Sequence, residues 1–125
     1  MSLRHPLARV KGLGASGEGS HHWWLQRVSA LALIPLTLWF VFSIIGHLGD
    51  GYADIVAWVA HPPIAVLLIL YIGFMLFHGQ LGMQVVFEDY VHNKSTKSVC
   101  ILLTKAVFLL AGVASIFAII KIALS

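Results

Sequence analysis

Residues 64–87 read IAVLLILYIGFMLFHGQLGMQVVF, a run without a single Asp, Glu, Lys or Arg. A helix that crosses a bilayer needs about 20 mostly apolar residues, and this stretch is long enough. Two further runs have the same character. Residues 28–45 (VSALALIPLTLWFVFSII) carry no charge, and residues 99–120 (VCILLTKAVFLLAGVASIFAII) carry only Lys105. The whole chain of 125 residues is 59% hydrophobic and only 10% charged, with a mean hydropathy of +0.91. A soluble domain carries about 25% charged residues, so this surface is not built to face water. Hydrocarbon offers no partners to backbone amides, which makes each run a helix. The alternation expected of barrel strands is absent. The expected fold is an all-α membrane protein with three antiparallel transmembrane helices spanning about 25–47, 62–88 and 98–122.

Basic residues set the expected orientation. Arg4, Arg9, Lys11 and Arg27 precede or open the first span, and Lys94 and Lys97 lie between the second and third. The connection over 46–61 has no Lys or Arg and holds Asp50 and Asp54. By the positive-inside rule the N-terminus and the second connection are cytoplasmic, and the C-terminus lies on the far side. This distribution accounts for the net charge of +3, which therefore implies no nucleic-acid partner. The long basic lead and the absence of an A-x-A site argue against a cleaved signal. Cys100 has no second cysteine to pair with and reads as a small apolar helix residue.

Residues 1–20 (MSLRHPLARVKGLGASGEGS) read as a cytoplasmic tail, with Ser20 as a candidate cap for the helix that follows. Trp23 and Trp24 fall where chain meets bilayer, and Pro35, inside the first span, is expected to kink it. Turn chemistry at Gly49-Asp50-Gly51 leads into 52–60, a candidate short interfacial helix with Tyr52 and Trp58 at headgroup level. Pro62 and Pro63 suit the first turn of the second span. HNKSTKS, 92–98, reads as a short polar turn.

The residues that point to chemistry lie on the second span. His78 sits near its middle, ten residues before the nearest charge, Glu88. Polar groups at that depth are costly and usually functional, and imidazole is a frequent axial ligand of haem iron. An interhelical hydrogen bond to a Ser or Thr is the plainer alternative. Gly82 lies one turn on, nearly on the same face, and leaves a notch in which a flat cofactor or another helix can approach. Asp89 and Tyr90 follow at the cytoplasmic end, about 18 Å along the axis from His78, with Tyr90 about 120° round the helix. A phenol there serves either as an interfacial anchor or as a donor to a quinone carbonyl. Arg27 opens the first span, where the helix dipole disfavours a cation. Positive-inside placement is one explanation. A site for carboxylates, joined by His21, is the other.

These residues resemble the smaller membrane-anchor subunit of succinate dehydrogenase, the succinate–quinone oxidoreductase. H78-GQL-G82-MQVVFE-D89-Y90 matches that family's His-x3-Gly-x6-Asp-Tyr pattern, and H21-HWWLQ-R27 matches its His-x5-Arg helix start. The segment HHWWLQRVSALALIPL looks especially like alphaproteobacterial anchors. The resemblance spans about residues 20–120 and implies a bundle formed with a larger cytochrome b anchor subunit in the inner membrane. His78 would be one axial ligand of haem b, with the second from that partner. Tyr90, supported by Asp89, would hydrogen-bond ubiquinone. Arg27 and His21 would face the haem propionates. An iron–sulfur subunit and a flavoprotein subunit would complete the complex, and the succinate chemistry would lie outside this chain. Where some members place an acid after the first motif histidine, this chain has His22. Two alternatives are a haem-free anchor of the fumarate reductase type and a non-redox three-helix assembly or transport subunit.

Overall fold

The computed structural model describes Leu7 and residues 17–125. Four helices account for nearly all of them: α1 over Gly17–Gly46, α2 over Tyr52–Ala60, α3 over Pro62–Tyr90 and α4 over Lys94–Leu124. Three of these, α1, α3 and α4, are long and apolar enough to cross a membrane. The chain is an all-α, multi-pass membrane protein.

Local chemistry fixes the helix ends. Between α1 and α2 the chain turns through Gly49 at φ +93°, a left-handed conformation open to glycine at no steric cost. The Gly51 amide then donates to the Asp54 carboxylate at 3.3 Å, which closes the start of α2. Pro62 and Pro63 occupy the first turn of α3, where an absent N–H leaves no helical bond unmade. Asn93 caps α4, its Oδ1 accepting from the amides of Ser95 and Thr96 at 3.0 and 3.2 Å. Two expectations change here. The polar run 92–98 is not a turn throughout, because this cap starts the helix at Lys94. Ser20 is not an N-cap, because α1 already begins at Gly17.

The second long helix, α3, is the centre of the arrangement. Both α1 and α4 pack against it, and their own backbones do not approach each other. Glycine lets α4 come close: a Cβ on Gly79 would stand 3.0 Å from Phe108, and one on Gly112 would stand 3.3 Å from Leu76. Small residues of this kind allow tight packing where no hydrophobic drive separates protein from lipid.

The apolar core lies at the loop end of the bundle. Ala65 and Leu68 of α3 and Ile119 of α4 are buried there, with Trp39, Phe40, Trp58 and Ile72 packed around them. Trp58 stacks on Trp39 at 6.3 Å between centroids and meets the His47 ring at 4.7 Å. Phe40 and Tyr71 approach to 5.0 Å. Tyr52 is exposed, as an interfacial residue should be, but Trp58 turns inward to seal the loop end.

Candidate functional site

Away from that core one polar side chain among the described residues is buried, Ser29 of α1, which is 2% exposed. Its hydroxyl donates to the Gln26 carbonyl at 2.9 Å, the backbone bond that serine in a membrane helix ordinarily makes. It also stands 3.0 Å from Nδ1 of His78. A hydroxyl has one hydrogen, and here it is committed to Gln26. The Nδ1–H of His78 must therefore be the donor to Ser29. In the neutral ring the remaining nitrogen, Nε2, then carries the free lone pair. That is the tautomer and the anchoring a metal-ligating imidazole requires. The interhelical bond to a serine and the ligand role use different nitrogens, so they coexist.

The His78 ring lines an open groove of about 370 Å³ along α1, formed by Ala30, Leu33, Ile34, Thr37 and Leu38. At about 100° per residue, Trp23 and Arg27 continue the same stripe of α1 beyond the groove. Arg27 is exposed, and its guanidinium lies 5.2 Å from the Trp23 ring centroid. The tryptophan face holds the cation in place by a contact worth about 0.5–1 kcal/mol. An apolar groove thus has the His78 ring on its wall, with Arg27 and Trp23 on the stripe of α1 beyond it. Those are the groups that a planar macrocycle with iron at its centre and carboxylates on its rim would meet.

The other expected residues are distributed differently. Gly82 faces α1, where an added Cβ would touch only Gln26 Nε2, at 3.9 Å. The notch there is real, and Gln26 borders it. His21 falls on the opposite side of α1 from the groove, whereas His22, half-buried, lies about 20° from Ser29 on the helical wheel. Asp89 and Tyr90 close α3, where the Val91 amide returns to the Phe87 carbonyl at 3.0 Å. Both are exposed, Tyr90 to 78%, and they make no hydrogen bond to each other or to other described residues. His78, Ser29, Gln26, Gly82 and the Arg27 stripe form one assembly. Tyr90 with Asp89 forms another at the helix end. Ser29 and Gln26 gave no sequence signal beyond being polar residues near the start of an apolar span.

Comparison with known proteins bears on the membrane-anchor reading. The model of a family described as the succinate dehydrogenase/fumarate reductase transmembrane subunit matches residues 1–118. A succinate dehydrogenase hydrophobic membrane anchor subunit of Rickettsia bellii is 32% identical over 118 residues, 94% of each chain. A succinate dehydrogenase membrane anchor subunit of Reclinomonas americana is 33% identical over 95 residues, 72% of this chain and 78% of the relative. The corresponding subunit of Paracoccus denitrificans is 28% identical over 96 residues, 77% of this chain and 74% of its own. No solved structure matches significantly.

Proposed function

The chain belongs to the succinate dehydrogenase/fumarate reductase transmembrane subunit family, and from that premise we propose that it holds the catalytic subunits of succinate dehydrogenase on the membrane and contributes to a haem and quinone site. It is a membrane-anchor subunit, with no succinate chemistry of its own. The flavoprotein and iron–sulfur subunits dock on the cytoplasmic side of the inner membrane. A larger cytochrome b anchor covers the groove beside His78. The N-terminus and Tyr90 are cytoplasmic and the C-terminus periplasmic, which the basic residues on either side of α1 and at the start of α4 support.

The observation that carries the site reading is the Ser29–His78 hydrogen bond, because it engages Nδ1 and leaves Nε2 without a protein partner on a ring that lines an open apolar groove. His78 would hold haem b from this chain's side, and Arg27 would face its propionates. Gly82 keeps the adjacent surface of α3 free of bulk. When bound, haem b supplies a one-electron redox centre between the cytoplasmic face and the interior of the bilayer. His21 is placed less favourably than the half-buried His22, which shares the Ser29 face of α1.

Tyr90 would donate its hydroxyl to one carbonyl of ubiquinone, fixing the headgroup and stabilising the charge that develops on reduction. Its exposure at the end of α3 supports this reading, since a partner subunit and a quinone arriving through the bilayer both reach that level. Asp89 would add negative charge beside the phenol. Tyr90→Phe keeps the ring and deletes only the hydroxyl. In the purified complex it is expected to lower quinone reduction by a factor that reflects one lost hydrogen bond, about 1 kcal/mol or about fivefold. Haem content and succinate oxidation by an artificial acceptor stay at wild-type levels. Equal quinone turnover in Tyr90→Phe and wild type would reduce Tyr90 to an interfacial anchor.

A further inference from the structure

A second groove runs along the other side of the central helix. It lies between α3 and α4, has a volume of about 440 Å³, and is lined by Gly73, Leu76, Phe108, Gly112 and Ile116, with Gln80 and Lys105 at one end. Gly73 and Gln80 stand about 150° round α3 from His78, so this groove is remote from the haem site. It contains the one charge inside the three apolar runs, Lys105. Among the described residues Lys105 makes no ion pair and no hydrogen bond. An unpaired ammonium within a transmembrane span is costly and calls for a partner.

The geometry selects the partner. Lys105 is six residues past Val99, so its Cα is about 9 Å below the start of the apolar run. Helical side chains lean toward the helix N-terminus, which for α4 is the membrane surface carrying Lys94 and Lys97. The ammonium therefore snorkels back toward the level of lipid headgroups. Beside it Gln80 donates one amide hydrogen to Gln84 at 3.3 Å, and Gln84 donates to Glu88 at 2.9 Å, a polar ladder that climbs to the same surface. The second amide hydrogen of Gln80 remains free. In the opposite direction the groove is wholly apolar, and Gly73 and Gly112 keep it open toward the bilayer centre. Its charge is thus at the headgroup end and its apolar length runs along the chain axis of a lipid. A partner helix would have no reason to find polar groups at one end only.

We propose that the α3–α4 groove binds one anionic phospholipid, with its phosphate on Lys105 and an acyl chain lying along Gly73 and Gly112. Gln80 donates to the phosphate or an ester carbonyl. The bound lipid neutralises Lys105 and fills the seam where α4 rests on α3.

The test uses the purified complex containing the full chain, stripped of lipid in detergent and titrated with phosphatidylglycerol or phosphatidylcholine under native mass spectrometry. Wild type takes up one phosphatidylglycerol in preference to phosphatidylcholine. Lys105→Gln weakens that uptake about fivefold, the effect of one basic residue near the membrane surface, while Lys105→Arg retains it. A Cβ on Gly73 meets nothing within 4 Å, so Gly73→Leu projects into the groove from open space and also loses the lipid, with assembly of the complex checked in the same samples. The haem spectrum of the same samples stays as in wild type, so this outcome is separate from the reading of His78. Identical phosphatidylglycerol uptake in wild type and Lys105→Gln overturns the proposal. So does loss of a protein subunit from Lys105→Gln, which would assign the groove to a partner helix.

Discussion

The two ends of this bundle are built on opposite plans. At the loop end, α1, α2, α3 and α4 all contribute to one apolar cluster, and Trp58 lies over both Trp39 and His47. At the other end α1 and α4 each lean on α3 alone, and the side chains that remain at the surface include Trp23, Trp24, Arg27 and Tyr90. The chain completes its own packing where no chemistry is expected. It leaves open the end that carries every candidate site residue. Each end also holds a histidine with Nδ1 already engaged, His47 to the Ser43 carbonyl at 2.8 Å and His78 to Ser29 at 3.0 Å. The difference lies in what covers the ring: Trp58 in the first case, an open groove in the second.

The contrast predicts separable effects. Trp58→Ala removes the side chain that ties α2 to α1. It should cost about 3 kcal/mol, read as a lower thermal transition of the purified complex, while the haem spectrum is unchanged. A haem loss in that variant would break the division between the ends. Ser29→Ala works in the other direction. It takes away the acceptor for His78 Nδ1–H and should weaken haem affinity about 10- to 100-fold, the usual consequence of losing a partner that orients a ligand. Ser29→Thr keeps the hydroxyl and should restore most of it, which haem titration of the apo complex would measure. Gly82→Ala is expected to be nearly silent in haem content, since the new Cβ meets only the flexible Gln26 amide at 3.9 Å. A marked haem loss in that variant would mean that the cofactor approaches α3 more closely than the notch suggests.

Much of this was legible in the sequence, for reasons that can be named. Three charge-free or nearly charge-free runs leave the backbone no choice but helix in hydrocarbon, and the Pro62-Pro63 pair marks a helix start by chemistry alone. The depth of His78 and its spacing to Gly82, Asp89 and Tyr90 can likewise be read along one helix. What the sequence did not reveal concerns pairs of helices. Nothing in Ser29 distinguishes it from Ser115, whose hydroxyl also donates to a carbonyl of its own helix. Only the packing of α1 on α3 sets Ser29 opposite His78. The run after Tyr90 was misleading for a local reason. Asn, Ser and Thr favour turns and helix caps alike, and at Asn93 the cap prevails. Trp58 looked like a headgroup residue because its position in an amphipathic segment does not disclose the Trp39 ring waiting beneath it.

The central claim is that the open end carries an iron ligand and the closed end does not. The most direct test is to record reduced-minus-oxidised spectra of membranes containing His78→Ala and His47→Ala side by side, with the amount of assembled complex checked in each. The low-spin haem b signal is expected to disappear or be severely altered in His78→Ala and to remain at wild-type position and intensity in His47→Ala. A haem signal that survives His78→Ala unchanged, or one that is lost with His47→Ala instead, would contradict the account.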